Sequence, residues 1–256
     1  MKLSSTALKN RLKSKWLDLN NKIQVIHQLD YPDQPLYMCD NIRIASCTKE
    51  PDTIRWIQTF QKDDIAFDIG ANVGAYSLVM SLFAKKVYAF EPAVMNHALL
   101  CKNMVINIQK NTIPSNIVPL NVALAENIKI DTLNYVNTNL GKSGHQINGR
   151  TVDCFGNPFQ PRLSHEVLCF SIDSFIELFK LPAPNHMKMD VDGIEWDILK
   201  GARKTLADPR MKSLLIESDI DKPETKAIHD LVTSKNFSLA EKYQAEGSIY
   251  NHLFKR

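Results

Sequence analysis

The sequence lacks long apolar runs and any recurrent spacing of metal-binding side chains. No apolar stretch approaches the roughly 7 to 15 residues of a signal-peptide core or the roughly 20 residues that span a bilayer. The five cysteines are odd in number and form no CxxC pair, which fits reduced thiols better than a disulfide framework. The seven histidines show no HxxxH or HExxH spacing, so no metal site is predicted. We therefore expect a soluble, cytoplasmic protein.

Excess positive charge is also missing from most of the chain. Residues 1–22 carry six basic side chains against one acidic one, whereas the rest of the chain carries 25 basic and 27 acidic side chains. Because affinity for nucleic acid depends mainly on clustered Lys and Arg, a nucleic-acid partner is not expected. Leu8, Leu12, Trp16 and Leu19 recur at helical intervals. This pattern predicts an amphipathic helix that packs on the domain, contacts a membrane surface weakly or acts as a targeting segment.

What the sequence does contain is an apolar strand that ends in a carboxylate and turns through two glycines into a helix, FDIGANVG at residues 67–74. The dinucleotide fingerprint GxGxxG fails here, because its second glycine falls on Asn72. Asp68 would repel a phosphate but attract an ammonium group. The turn from Gly70 to Gly74 therefore predicts a site for S-adenosylmethionine, which has an amino-acid tail, a sulfonium and no phosphate. The alternative is a tight turn of the kind found in any doubly wound domain.

The next two strands supply further candidates for cofactor binding. Glu91 and Pro92 end the second strand, where a carboxylate can accept both ribose hydroxyls of an adenosine. An acid at this position could instead cap the following helix. The third strand ends around Asn121 and Ala123, where backbone groups can border an adenine. Because ligands lie beyond the carboxyl ends of such strands, these residues should meet at one edge of the sheet.

A fourth strand runs into four acids, at Asp190, Asp192, Glu195 and Asp197. Such a cluster is costly unless it serves a cation or a reaction. Asp190 is the first candidate for a general base, Glu195 the second, and His145 the third. Cofactor positioning or helix capping is an equal alternative for Asp190. Lys188 could stabilise developing negative charge, and Trp196 is expected in the core.

With these residues in view, the chain resembles the FkbM family of S-adenosylmethionine-dependent methyltransferases. Five motifs within residues 64–220 carry the resemblance in the family's order: FDIGANVGAYSL, VYAFEP, NVAL, SIDSF and KMDVDGIEWDILKGA. The family more often has DVEG where this chain has DVDG. The resemblance implies a class I methyltransferase fold and, usually, O-methylation of a hydroxyl, with a sugar or another small molecule or glycan as the acceptor.

The order of strand and helix patterns predicts an α/β, Rossmann-like domain. Strands are expected at 64–69, 86–90, 116–123, 186–190 and 213–219, and helices at 74–85, 95–109, 194–207 and 223–235. The ending, 237–243 and 249–254, reads as a hairpin, so one strand must run antiparallel. With the resemblance, this implies a seven-stranded, mostly parallel sheet with one antiparallel strand and helices on both faces. Residues 1–56 form an N-terminal helical and lead-in segment, and residues 57–256 form the methyltransferase domain.

An insertion at about 124–185 separates the third and fourth strands. Its middle, residues 137–164, is rich in Gly, Pro, Asn and Ser and contains His145. Loops of this length are usually functional or disordered, so we expect a lid or an acceptor-binding loop, with a flexible insertion as the alternative. Two other functions stay open: an NAD-dependent oxidoreductase, and a non-catalytic module that binds S-adenosylmethionine.

Overall fold

The computed structural model describes residues 26–147, 149–153 and 156–256. The amphipathic helix and membrane-surface contact predicted for residues 1–22 lie outside the described residues. Within the described ranges, no helix has both the length and the apolar character needed to cross a bilayer.

Twelve strands and eight helices are found in these ranges. The strands are β1 (His27–Leu29), β2 (Leu36–Met38), β3 (Ile65–Ile69), β4 (Lys86–Phe90), β5 (Ile117–Leu120), β6 (Ala123–Leu124), β7 (Lys129–Tyr135), β8 (Leu163–Phe170), β9 (His186–Met189), β10 (Ser213–Asp219), β11 (Ser238–Glu246) and β12 (Ile249–Lys255). The helices are α1 (Ser46–Lys49), α2 (Pro51–Ile57), α3 (Ala75–Phe83), α4 (Val94–Gln109), α5 (Ile172–Phe179), α6 (Glu195–Lys200), α7 (Arg203–Ala207) and α8 (Pro223–Thr233).

A seven-stranded sheet forms the centre of the fold, with strand order β11-β12-β10-β9-β3-β4-β5. The pairs among β5, β4, β3, β9 and β10 are parallel, and β12 pairs antiparallel with both β10 and β11. In the central register, Phe67 pairs with Tyr88 on one side and Met187 on the other. The predicted α/β fold, with a mostly parallel sheet and one reversed strand, is therefore confirmed.

Helices cover both faces of the sheet, because the central strands present apolar side chains on each face. Every residue of β3 is buried. Phe67 and its neighbours on one face pack with Phe175 of α5 and Ile198 of α6. Ala66 on the opposite face belongs to a second core with Leu78 of α3. This two-sided burial brings the carboxyl ends of the strands out at one edge, where a site can form.

Two predicted elements are interrupted in the structure. The strand expected over 116–123 leaves the sheet after Leu120, because the Asn121 side chain donates to the carbonyls of Glu91 (2.8 Å) and Pro92 (3.0 Å). The helix expected over 194–207 breaks between Lys200 and Arg203 into α6 and α7. The two predictions are wrong at these points, although the surrounding elements form as expected.

The insertion contains ordered structure that was not predicted. Strands β6, β8 and β7 form a separate three-stranded sheet, in which β7 and β8 pair antiparallel from Lys129–Cys169 to Tyr135–Leu163. Helix α5 follows β8 directly. Between β7 and β8, the described residues form only isolated bridges, such as Asn134 with Gln146. The irregular part thus coincides with the predicted glycine-rich segment.

The expected boundary at residues 56 and 57 falls inside α2. Ile54 of that helix packs in the same core as Leu78 of α3. The division into an N-terminal segment and a methyltransferase domain therefore remains a proposal.

Gly201, where α6 ends, joins the insertion to the main fold. A Cβ at this position would lie 2.6 Å from the Ala125 carbonyl oxygen and 2.8 Å from the Ser171 Cβ. The Gly201 carbonyl also accepts from the Asp173 amide at 3.0 Å. A side chain here would push the start of α5 away from α6.

Gly201→Ala should therefore cost about 3 kcal/mol of stability, the upper part of the usual range for overpacking. Gly247→Ala is a suitable control, since a Cβ there meets nothing within 4 Å and only the left-handed backbone opposes it. We expect the control to lose about 1 kcal/mol. Urea unfolding of both variants measures the difference, and equal losses would contradict this packing argument.

Candidate active site

A cavity of about 760 Å³ opens at the carboxyl ends of β3, β4, β9 and β10. Of the predicted cofactor residues, six line it: Gly70, Asn72, Glu91, Pro92, Ala123 and Asp190. Asp68, Gly74 and Asn121 do not line it but support the turns that do. The sheet topology therefore brings together side chains that lie far apart in sequence.

The glycine turn is held by the carboxylate of Glu91. The amides of Asn72 and Ala93 each donate to one of its oxygens at 2.8 Å. Gly70 has a φ of 81°, and a Cβ there would overlap the carbonyl oxygen of Asp190. Burial raises the pKa of Glu91 to about 7, despite these two hydrogen bonds. Glu91 thus fixes the turn and still presents a polar group at the cavity wall.

Asp68 lies beneath the turn and is 1% exposed. One carboxylate oxygen accepts from the Ser77 hydroxyl at 2.5 Å, and the other is buried without a hydrogen-bond partner. Burial raises the pKa of Asp68, although the charge of Lys188 opposes this shift. A buried acceptor without a partner is costly, which fits a site that a ligand or a bridging water completes.

Lys188 is the buried cation of the site and is 2% exposed. Its ammonium donates to Asp190 Oδ2 at 2.7 Å and lies 4.8 Å from the centre of the Tyr76 ring. Burial disfavours its charge, but Asp190, Glu50 and Asp68 outweigh this effect and raise the pKa of Lys188. Lys188 is therefore charged, and its ammonium group interacts with several carboxylates at once.

Asp190 and Glu217 both line the main cavity at the carboxyl-terminal edge of the sheet, and the charge of one affects ionisation of the other. We call them the acid pair. Burial opposes ionisation of Asp190, yet the charge of Lys188 and its hydrogen bond to Asp190 keep the pKa of Asp190 below the usual value. The negative charge of Asp190, with burial, raises the pKa of Glu217 to about 9. At neutral pH the pair therefore holds one proton, located on Glu217.

The remaining catalytic candidates lie on different walls. His145 lines the cavity, packs 4.5 Å from the Tyr135 ring centre and has a pKa lowered by burial to about 4. Glu195 accepts from the Gly193 amide at 3.0 Å and faces an adjoining cavity instead. Burial raises the pKa of Glu195 to about 7. Of the three candidates, Asp190 and His145 therefore share the main cavity and Glu195 does not.

Sequence reasoning missed Glu217, Glu50, Tyr76 and Arg43, which also line the main cavity. Glu217 belongs to β10 and could have been found, because it lies near the carboxyl end of a predicted strand, as Asp68, Glu91 and Asp190 do. No comparable pattern marks the other three.

Among the described residues, no group of three or more His, Cys, Asp or Glu side chains is arranged to hold a metal ion. The acids at this edge are instead balanced by Lys188 and by shared protons.

The insertion covers the cavity through hydrogen bonds to helix α4 and to the loop after β9. The buried Asn96 side chain of α4 accepts from the Gly141 amide at 2.8 Å and donates to the Lys142 carbonyl at 3.0 Å. Asp192 accepts from the Gly144 amide at 2.6 Å. Asp192 has a left-handed φ of 62°, a conformation that Asp adopts more readily than most residues. This cover fits the lid hypothesis, which remains a prediction.

Sequence comparison agrees with this arrangement. The profile of the family described as Methyltransferase FkbM domain matches residues 68–239, from the end of β3 to the start of β11. One relative, the hexuronic acid methyltransferase AglP of Haloferax volcanii, is 25% identical over 191 residues. These residues are 73% of this chain and 71% of that protein.

Structural comparison gives the same fold. A crystal structure described as Methyltransferase FkbM from Methylobacillus flagellatus KT matches with a TM-score of 0.52 and 18% identity. The match covers 77% of this chain but only 44% of that chain. At this identity the likeness shows the shared architecture alone.

Asn96→Ala should release the insertion from α4, because it removes both hydrogen bonds at once. We expect faster hydrogen exchange at residues 141–147, with exchange in β3 and β4 unchanged. Asn107→Ala is the matched control, since Asn107 on the same helix bonds to Tyr37 instead. Unaltered exchange at 141–147 in Asn96→Ala would show that Asn96 does not hold the cover.

Proposed function

Since the chain belongs to the FkbM methyltransferase domain family, we propose that it transfers the methyl group of S-adenosylmethionine to a hydroxyl of a sugar or related glycan. The observation that carries this proposal is the cavity at the glycine turn, bordered by Glu91 and Asp190 and placed over the buried Asp68. These carboxylates are hostile to a dinucleotide pyrophosphate and suited to an ammonium group and ribose hydroxyls.

The residues present fit S-adenosylmethionine. Glu91 would accept from the ribose hydroxyls, and the Gly70 turn leaves room because no side chain fits there. Val122, Ala123 and Leu124 offer an apolar border for the adenine. Asp68 does not line the cavity and supports the turn from below through the Ser77 hydroxyl. When bound, S-adenosylmethionine supplies an electrophilic methyl group on a sulfonium.

The protein's own contribution is orientation and proton removal. The acceptor hydroxyl must lose its proton as its oxygen attacks, and a group within hydrogen-bonding distance can accept it. Asp190 suits this role because Lys188 keeps it ionised at the cavity surface. His145 is a second candidate, since its low pKa keeps the imidazole neutral. Lys188 also stabilises negative charge that develops nearby.

A sugar acceptor is supported by the relative named as a hexuronic acid methyltransferase. The family match favours methyl transfer over an NAD-dependent oxidoreductase. The alternative, a non-catalytic module that binds S-adenosylmethionine, would be indicated by cofactor binding without methyl transfer in the tests below.

Glu91→Gln should weaken binding of S-adenosylhomocysteine by about 1 to 3 kcal/mol, because it removes a charged acceptor and turns an amide towards a backbone donor. Titration calorimetry measures this. Glu177→Gln is the control, as the same change on an exposed residue of α5 that lines neither cavity, and should bind like the parent. The cofactor assignment would be contradicted if Glu91→Gln bound S-adenosylhomocysteine with the affinity of the parent, or if the parent protein did not bind it.

Asp190→Asn should lower the rate of methyl transfer by about 10² to 10⁴ if Asp190 accepts the proton, and should remove the acidic limb of the pH profile. The side chain stays nearly isosteric and can still accept from Lys188. A positioning role would lower the rate but keep that limb. His145→Ala and Glu195→Gln provide the comparison. Parent rates and pH profiles in both Asp190→Asn and Glu195→Gln would show that the acidic cluster is structural.

A further inference from the structure

A second cavity of about 470 Å³ adjoins the first, between the end of β10, the start of α8 and the insertion. The two cavities share five lining residues: Asp153, Asp192, Ile194, Glu217 and Ile249. A molecule in the second cavity would therefore lie against Glu217, whose ionisation is opposed by the charge of Asp190. The second cavity thus borders one member of the acid pair at which proton removal is proposed, and Asp190 lines the first cavity.

The walls of this cavity combine an aromatic side chain with a buried hydroxyl that has no hydrogen-bond partner. Trp196, expected in the core, is half-buried and lines the cavity together with Ile228 and Ile249. Ser218 also lines it, is 7% exposed and has a hydroxyl without a hydrogen-bond partner. An apolar, aromatic wall with a few polar groups is typical of a small-molecule site. A hydroxyl that lacks a partner fits one that a ligand completes.

The charge of the cavity restricts what it can bind. Its described lining contains seven carboxyl groups but only two cationic side chains, Arg150 and Lys222. Arg150 already donates to the Gly193 carbonyl at 2.9 Å and lies 3.9 Å from Asp197. Burial and the charge of Asp190 raise the pKa of Asp192 to about 6, which is the response expected where negative charge is already crowded. A carboxylate ligand would add to that repulsion.

We propose that the second cavity is the acceptor subsite and that it binds a sugar ring without a carboxylate, either uncharged or carrying an amino group. The Trp196 ring provides a flat apolar wall, and the surrounding carboxylates accept hydrogen bonds from sugar hydroxyls. This inference rests on the proposed function. The proposed acceptor carries no carboxylate, unlike the hexuronic acid for which the 25% identical relative is named.

Ligand-detected NMR at pH 7.5, on the full chain saturated with S-adenosylhomocysteine, tests the subsite with three probes: methyl α-glucoside, glucosamine and glucuronate. We expect saturable binding of the first two. Glucuronate should bind at least about tenfold more weakly, because its carboxylate would add negative charge to a partly buried site lined by several carboxyl groups.

Two variants locate the binding. Trp196→Ala should abolish the sugar signals, whereas Phe179→Ala, which removes an exposed aromatic ring on α5 that lines neither cavity, should leave them unchanged. Both variants should keep parent affinity for S-adenosylhomocysteine in calorimetry, which also shows that they fold. No saturable sugar binding, equal or tighter binding of glucuronate, or sugar binding that survives Trp196→Ala would each overturn the subsite. Failure of S-adenosylhomocysteine to bind the parent would instead count against the proposed function.

Discussion

The acidic residues at the carboxyl-terminal edge of the sheet depend on one buried lysine, whose positive charge offsets their negative charge. Lys188 brings an ammonium among Asp190, Asp68 and Glu50, at a place where an uncompensated carboxylate would be costly. Its 2.7 Å contact with Asp190 keeps that residue ionised, and the charge on Asp190 in turn keeps Glu217 protonated. The glycine turn approaches this pair so closely that Gly70 has no room for a side chain beside the Asp190 carbonyl. The protonation of the acid pair thus follows from the charge of Lys188, and the glycine turn and the second cavity both lie beside this pair.

The insertion adds a second layer to the site. Its own small sheet, β6-β8-β7, is docked beside the main sheet where Gly201 allows close approach. From that base, the irregular segment reaches back to Asn96 and Asp192. The shorter Asp at position 192, where the family more often has Glu, meets the Gly144 amide from a left-handed backbone. A cover held by a few hydrogen bonds can open without loss of the underlying sheet, which is what a lid requires.

The sequence was sufficient for the parts of the fold that local pattern decides. Buried strands such as β3 are mostly apolar, and the final hairpin alternates, so their positions and the reversed strand were predictable. Rules for parallel sheets also brought Asp68, Glu91 and Asp190 to one edge. The same rules predict Glu217 as a site residue, because it lies near the carboxyl end of the strand predicted at 213–219, which is β10.

Other features depend on contacts between distant segments, which no local pattern records. The break after Leu120 arises because Asn121 bonds to Glu91 and Pro92 rather than continuing the sheet. The sheet in the insertion forms only when β7 and β8, separated by a long irregular segment, meet. Trp196 reads as a core residue from its helical position, and only the arrangement of α6, α8 and the insertion shows that it also faces a cavity.

The most direct test of the role of Lys188 is the stability of Lys188→Met as a function of pH, measured by urea unfolding at pH 5 and pH 8. Without the ammonium, the pKa of Asp190 loses the influence that keeps it below its usual value, and the raised pKa values of Asp68 and Glu217 rise further. The folded state then binds more protons than the unfolded state, and stability falls as pH rises. We predict a loss of about 3 to 5 kcal/mol at pH 8 that shrinks clearly at pH 5, while Lys86→Met, at an exposed lysine on β4, changes little at either pH. A loss of the same size at both pH values, or no loss at all, would contradict the account.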